Sequence, residues 1–85
     1  MRLVILGYSS IVERRVLPAA ARVGAIAEIS IASRSRTAPA SWPKQGRFFN
    51  DYEAALRDSD ADLVYLSLPH AMHERWIMAA LAAGK

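Results

Sequence analysis

Short apolar runs alternate along this chain with segments of helical periodicity. The first run, residues 3–6, is continuously apolar and half β-branched, which is typical of a strand buried on both faces. After Gly7, apolar residues recur at a spacing that predicts a helix, namely at Val12, Val16, Ala20 and Val23. Pro18 lacks the N–H group that a helix interior needs, so it predicts a kink in this helix. Gly24 is the predicted point at which the helix ends.

The rest of the pattern predicts three more strands. They lie at residues 27–33, 47–49 and 63–68. Between the first two of these strands, residues 34–46 contain two prolines and several small polar residues, which predicts irregular structure. Strands that alternate with helices favour a parallel sheet with right-handed crossovers. The sequence therefore predicts an α/β fold, with helices on both faces of a parallel sheet of about four strands.

Two further helices complete the predicted order of elements. One is predicted at residues 52–57, with Asn50 or Asp51 as its N-cap. The other is predicted at residues 71–83 and ends at Gly84. Both tryptophans, Trp42 and Trp76, are interpreted as packing residues.

Composition narrows the class of protein. The chain has 85 residues, of which 53% are hydrophobic, and it has no cysteine. The apolar content is too high for a disordered chain, and the lack of cysteine excludes a disulfide scaffold, a thiolate zinc site and a cysteine nucleophile. A chain of this length buries only roughly 60–65% of its unfolded surface, so we expect a marginal core that relies on a partner.

Charge is distributed unevenly along the chain. Residues 1–47 carry eight Lys or Arg and two Asp or Glu, whereas residues 48–85 carry three and six. A basic half suits a small anionic ligand as well as a polynucleotide. The aromatic residues are scattered rather than interleaved with arginine, so no nucleic-acid partner is expected. The first apolar run is too short for an export signal or a membrane span, so we expect a cytoplasmic protein without a membrane partner.

The turn after the first predicted strand is a candidate phosphate site. Ligands of parallel α/β folds bind outside the carboxyl ends of the strands, and a helix N-terminus there offers N–H groups to an anion. Of the dinucleotide-binding pattern G-x-G-x-x-G/A, only Gly7 matches, because Ser9 and Val12 stand at the other two positions. Ser9 can donate its hydroxyl to a phosphate, but its Cβ limits how closely the backbone approaches. An ordinary strand–helix turn is the alternative interpretation.

The end of the second predicted strand bears on which dinucleotide would bind. Residues 33–36 have the sequence Ser-Arg-Ser-Arg, with no acidic residue near them. An NAD site usually has an acidic residue here for the ribose hydroxyls, whereas Ser33 and the guanidinium of Arg34 suit a 2′-phosphate. The pattern therefore favours NADP over NAD, unless these arginines are simply solvated surface residues.

The turn after the last predicted strand contains two histidines. His70 and His73 are three positions apart, a spacing that some metal sites use. Glu74 is the one carboxylate beside them and is expected on another side of the helix, so no metal site is predicted. His73 is interpreted as a residue that lines a pocket or caps a contact.

Taken together, these segments resemble the Gfo/Idh/MocA-type oxidoreductases, a family of NAD(P)-dependent sugar and polyol dehydrogenases. The resemblance covers essentially the whole chain. It rests on RLVILGYSSI, RRVLPAA, ASR, DYEAALRDSDADLVYLSLP and PHAMHERWIMAALAAGK. Its most specific elements are P-x-x-x-H after the last strand and the helix end A-x-x-A-G-K. The first loop and the RR-x-L-P-A stretch are most similar to members that reduce keto groups of nucleotide-linked sugars.

The resemblance implies a Rossmann-type dinucleotide site and a role for each matching position. The residues implied around the pyrophosphate are Gly7, Tyr8, Ser9, Ser10 and Ile11. Those implied at the adenosine ribose and its 2′-phosphate are Ser33 and Arg34. Those implied beside the dinucleotide are Ser67, Leu68, Pro69 and His70, with His73 near the nicotinamide; His70 replaces an asparagine that is frequent in the family. The implied cofactor is NADP, with NAD as the alternative.

The resemblance also implies that residues 1–85 are the N-terminal part of a dinucleotide-binding domain. In the family, a catalytic lysine and a substrate-binding domain follow the position of Lys85, so no residue here is assigned a catalytic role and the chain alone is expected to be inactive. The implied partners are the dinucleotide and a missing C-terminal domain or a partner chain. A sheet without its last strands has an unpaired edge, which predicts marginal stability or self-association. The alternative function is a non-enzymatic nucleotide-binding module or a remnant that needs a partner chain.

Overall fold

A computed structural model describes the backbone of residues 1–85 and all side chains except those of Asp58 and His70. Its four strands are Arg2–Leu6 (β1), Glu28–Ala32 (β2), Gln45–Phe49 (β3) and Leu63–Leu66 (β4). They form one sheet in the order β3-β2-β1-β4, and every neighbouring pair is parallel. The predicted α/β fold with an incomplete, four-stranded parallel sheet is confirmed.

Helical segments cover both faces of the sheet. A π-helical segment, Val12–Val16, continues into the α-helix Leu17–Ala21 (α1) on one face. The helices Tyr52–Asp58 (α2) and His73–Ala82 (α3) pack on the other face, and a 3₁₀ turn, His70–Met72, precedes α3. No helix within the described part of the chain is long and apolar enough to cross a membrane.

The side chains of β1 alternate between two separate cores. Leu3 and Ile5 point to the core beneath the first helix, where they join Ile29 and Ile31 of β2. Val4 and Leu6 point to the core beneath α2 and α3. Both faces of β1 are therefore buried, as its continuous apolar run predicts.

Both tryptophans are buried, which confirms their predicted packing role. Trp42 lies in the first core and donates its indole N–H to the carbonyl oxygen of Ile29 at 2.7 Å. Trp76 lies in the second core, with its ring edge-on to Tyr52 at 5.3 Å between centroids. The irregular stretch before β3 is thus fixed to the sheet through Trp42.

The first helix differs from its predicted pattern because it contains a π-helical turn. The N–H of Leu17 donates to the carbonyl of Val12, five residues earlier, which is the π-helical spacing. This wider turn inserts one residue, so Leu17 is buried where the pattern predicts Val16, which is only half-buried. Pro18, which has no N–H, follows directly after the π-helical turn, where the spacing of the hydrogen bonds changes from π to α. The prediction that the apolar face of this helix includes Val23 and that the helix ends at Gly24 was wrong, because α1 ends at Ala21 and Val23 is exposed.

Lys44, the residue before β3, is hydrogen-bonded to the segment that follows α1. Its ammonium donates to the carbonyl oxygens of Val23 at 2.8 Å and Ile26 at 2.6 Å. We expect Lys44→Met, which keeps the apolar stem, to lower the free energy of unfolding by about 1.5–3 kcal/mol, because charge-assisted hydrogen bonds are lost. Urea denaturation followed by circular dichroism measures this change. Arg22→Met removes an exposed cation nearby and should change it by less than about 0.5 kcal/mol; equal losses in the two variants would contradict the role given to Lys44.

Candidate functional site

The strand order reverses between β1 and β4, and the loops that leave these two strands meet there. The strands β2 and β3 lie on one side of β1. The strand β4 lies on the other side of β1. The N–H of Gly7 donates to the carbonyl of Ala32 at 2.8 Å, and the N–H of Ser67 donates to that of Leu6 at 2.8 Å. In open parallel sheets, a crevice at this kind of reversal is the usual ligand site.

Gly7 is required at this point by both conformation and space. Its φ is +98°, a region that residues with a side chain rarely adopt. A Cβ placed on it would overlap the carbonyl oxygen of Ser67 and lie 2.9 Å from Cδ2 of Leu68. The first loop therefore passes directly against the loop that follows β4.

Ser9 links the same two loops through its hydroxyl. Its Oγ accepts the N–H of Val12 at 3.3 Å, which caps the first helix, and lies 2.8 Å from Oγ of Ser67. The Ser9 oxygen thus has two partners within the protein, and either Ser9 or Ser67 could be the donor of the hydrogen bond between them. The N–H groups of Ser10 and Ile11 come before the capped one and lie at the start of the helix, where intrahelical partners are lacking. The side chain of Ile11 lines a groove beside β4 instead.

Arg36 joins the loop after β2 to the first loop. Its guanidinium lies 4.4 Å from the ring centroid of Tyr8, donates to the Tyr8 carbonyl at 3.3 Å and donates to Oε2 of Glu13 at 3.3 Å. Burial raises the pKa of the Tyr8 phenol, and the charge of Glu13 raises it further, so the phenol stays neutral. These contacts place one fixed cation beside the Gly7 turn.

Ser33 and Arg34 occupy the end of β2, next to that turn. Ser33 is buried, and its Oγ accepts the N–H of Arg36 at 3.0 Å. The exposed guanidinium of Arg34 lies 5.9 Å from the ring centroid of Tyr52, at the start of α2. The two arginines of this loop therefore point to different neighbours. The contact between Arg36 and Tyr8 is absent from the sequence-based site; the Ser33-x-x-Arg36 spacing could have indicated the serine-capped turn that contains Arg36, but not its contact with Tyr8.

His73 shapes the loop after β4. A carbonyl oxygen can only accept, so the Nε2–H of His73 donates to Leu68 O at 2.9 Å and ties this loop to α3. Leu68 packs against the second core, whereas Pro69 is exposed. The side chain of His70, a predicted cofactor-binding residue, lies outside the described residues. Among the side chains that are described, no group of three His, Asp or Glu residues could hold a metal ion.

The structure thus brings together Gly7, Ser9 and Ser67 where the strand order reverses. Ser33 and Arg34 lie at the end of the neighbouring strand β2, and Arg36 connects them to Tyr8. These residues form a polar and basic rim along the carboxyl ends of three adjacent strands.

Comparison with known proteins finds oxidoreductases among the relatives of this chain. The chain is 36% identical over 90 residues to the dTDP-3,4-didehydro-2,6-dideoxy-alpha-D-glucose 3-reductase of Saccharopolyspora spinosa. It is 38% identical over 87 residues to the protein of the same name from Streptomyces violaceoruber. It is also 31% identical over 88 residues to an uncharacterized oxidoreductase of Rhizobium meliloti. No protein-family profile matches the chain, and no solved structure matches it significantly.

These matches include the whole of this chain but only 25–26% of the length of each relative. The matched part is the N-terminal part of each relative. The chain is therefore a homologue of oxidoreductases, sugar-modifying reductases among them, and it corresponds to the N-terminal quarter of their length.

Proposed function

We propose that this chain binds NADP, with NAD as a weaker alternative, as the cofactor-binding part of an oxidoreductase of the Gfo/Idh/MocA type. The reaction would interconvert a keto group and a hydroxyl group on a sugar or polyol, and keto reduction of a nucleotide-linked sugar fits the names of the relatives. The observation that carries the proposal is the Gly7 turn, which lies where the strand order reverses; support comes from the match of the chain to the N-terminal quarter of oxidoreductases.

The residues of the rim fit a dinucleotide. A phosphate needs close approach to the backbone, and the Gly7 turn, with its positive φ, leaves the start of the first helix open for that approach. Gly7, Tyr8, Ser9, Ser10 and Ile11 would hold the pyrophosphate. The loop after β4, residues 67–70, and His73 would lie along the rest of the cofactor.

The loop after β2 supports NADP in particular. Residues 33–36 contain two arginines and no carboxylate, so a 2′-phosphate meets positive charge where an acidic residue would repel it. The exposed guanidinium of Arg34 can form two parallel hydrogen bonds with a phosphate. When bound, the nicotinamide ring supplies or accepts the hydride; the residues of this chain bind and orient it, while acid–base groups and the substrate pocket would belong to a further domain or a partner chain.

Titration of the purified chain with NADPH and NADH tests the proposal. We expect saturable binding of both, with NADPH the tighter ligand, measured by the change in nicotinamide fluorescence. Adenosine 2′,5′-bisphosphate and 5′-AMP are then compared as competitors of NADPH binding, because they differ in the 2′-phosphate. The bisphosphate should compete better. The lack of any binding at millimolar concentrations would disprove dinucleotide binding, and tighter NADH binding would disprove the preference for NADP.

A further inference from the structure

The guanidinium of Arg36 is held by Tyr8 and Glu13. It lies 4.4 Å from the ring centroid of Tyr8 and donates to the carbonyl oxygen of that residue. It also donates to Oε2 of Glu13 at 3.3 Å, which makes an ion pair. Tyr8 is buried in the first core, whereas the side chains of Arg36 and Glu13 are 44% and 52% exposed. The contact with Glu13 can therefore be removed without disturbing the core.

The side chain of Arg36 begins beside the proposed position of the 2′-phosphate. The N–H of Arg36 donates to Oγ of Ser33 at 3.0 Å, and Ser33 is one of the two residues that would contact the adenosine ribose and its phosphate. Arg34 is the other, and it belongs to the same short loop. An arginine side chain has many rotamers, so the guanidinium of Arg36 can point either to Tyr8 or to this phosphate. In the structure it points to Tyr8 and Glu13.

A carboxylate and a phosphate compete for a guanidinium, because both are anionic acceptors that match its planar set of donors. An exposed ion pair and an exposed cation–π contact each contribute little alone. Together with the hydrogen bond to the Tyr8 carbonyl, they hold Arg36 in one orientation. Without the carboxylate only neutral groups of Tyr8 remain, and a phosphate dianion forms stronger hydrogen bonds than these.

We propose that Glu13 limits the preference of this chain for NADP, because its carboxylate holds Arg36 on Tyr8 and away from the 2′-phosphate. The inference rests on the proposed function, in which Ser33 and Arg34 contact that phosphate. Glu13 is a positioning residue in this role, since it acts on the cofactor through Arg36. The 2′-phosphate is then recognised by one arginine of the loop, while the other arginine supports the first loop.

Titration of Glu13→Ala with NADPH and NADH tests this role. We expect the ratio of the NADH to the NADPH dissociation constant to rise about five- to tenfold over that of the unsubstituted chain, because Arg36 gains charge-assisted hydrogen bonds to the 2′-phosphate. The ratio is the measured quantity because a looser first loop alone would weaken both cofactors alike. Glu13→Gln keeps an acceptor oxygen for Arg36 but removes the charge, so its ratio should be intermediate.

A matched control removes the same charge elsewhere. Glu28 is the first residue of β2, at the end of the strand opposite to the candidate site. Glu28→Ala should therefore leave the ratio of dissociation constants unchanged. Circular dichroism verifies the fold of each variant.

Two double variants separate the release of Arg36 from the loss of a negative charge. In Arg36→Ala, the addition of Glu13→Ala should leave the ratio unchanged, because no guanidinium remains to be released. In Arg34→Ala, the addition of Glu13→Ala should tighten NADPH binding by about five- to tenfold, because Arg36 then takes the place of the missing arginine.

The outcomes distinguish this inference from the proposed function. An unchanged ratio in Glu13→Ala would overturn the inference and leave the proposed function standing, since both dinucleotides would still bind. A rise in the ratio that persists in the Arg36→Ala background would also overturn it, because the charge of Glu13 would then act directly on the phosphate. Absence of binding of either dinucleotide to the unsubstituted chain would overturn the proposed function, and this inference with it.

Discussion

Gly7→Ala should remove a large part of the chain's folding stability at 25 °C. A non-glycine residue held at a φ such as the +98° of Gly7 costs about 1–3 kcal/mol. The new Cβ also overlaps the backbone carbonyl of Ser67, and no side-chain rotation relieves that overlap. We expect a total loss of at least about 4 kcal/mol, against a stability of about 4–13 kcal/mol for a domain of this length.

Two glycine variants separate the causes of this loss. At Gly24 a Cβ would meet nothing within 4 Å and the backbone is ordinary, so Gly24→Ala should be neutral or stabilise by up to about 1 kcal/mol. At Gly84 the φ is +80° but the space is open, so Gly84→Ala should cost about 1–2 kcal/mol from conformation alone. Urea denaturation measures all three variants. A loss at Gly7 no larger than that at Gly84 would show that the contact with the loop after β4 is not tight.

The fold was predictable because its strands carry strong local patterns. The continuous apolar run of β1 indicated burial on both faces. Burial on both faces is typical of a central strand in a parallel sheet. The face of the first helix was not predictable from the same kind of pattern. A π-turn shifts the buried position from Val16 to Leu17, and this shift depends on how the turn around Pro18 packs against the sheet, which periodicity does not record.

The sequence indicated which loops lie beside each other at the candidate site, but it did not indicate which side chains of these loops contact each other. Parallel topology brings the ends of β1, β2 and β4 to one edge, so the loops beginning at Gly7, Ser33 and Ser67 had to be neighbours. The contact between Ser9 and Ser67 joins residues 58 positions apart, and that between Arg36 and Tyr8 joins residues 28 apart. Such pairings depend on loop conformations that are set by the whole sheet, and no local sequence pattern specifies them.

The different neighbours of the two arginines lead to different expected effects on cofactor binding. The guanidinium of Arg34 is exposed over Tyr52, so Arg34→Ala would remove the proposed contact with the 2′-phosphate and leave the loops in place. We expect it to weaken NADPH binding by about 10- to 100-fold, the effect of about 1.4–2.7 kcal/mol, and to leave NADH binding unchanged. Fluorescence titration of both dinucleotides measures this selectivity.

Arg36→Ala should weaken the binding of NADPH and NADH together. Arg36 contacts the carbonyl of Tyr8 and the carboxylate of Glu13, and so it holds the first loop, which would contact both cofactors in the proposed site. Arg22→Ala is the matched control, since it removes the same charge from the far end of the first helix and should alter neither affinity. A selective loss of NADPH binding in Arg36→Ala but not in Arg34→Ala would show that Arg36, and not Arg34, contacts the 2′-phosphate. Equal losses for both cofactors in Arg34→Ala would mean that this side chain supports the loop and does not discriminate between the two cofactors.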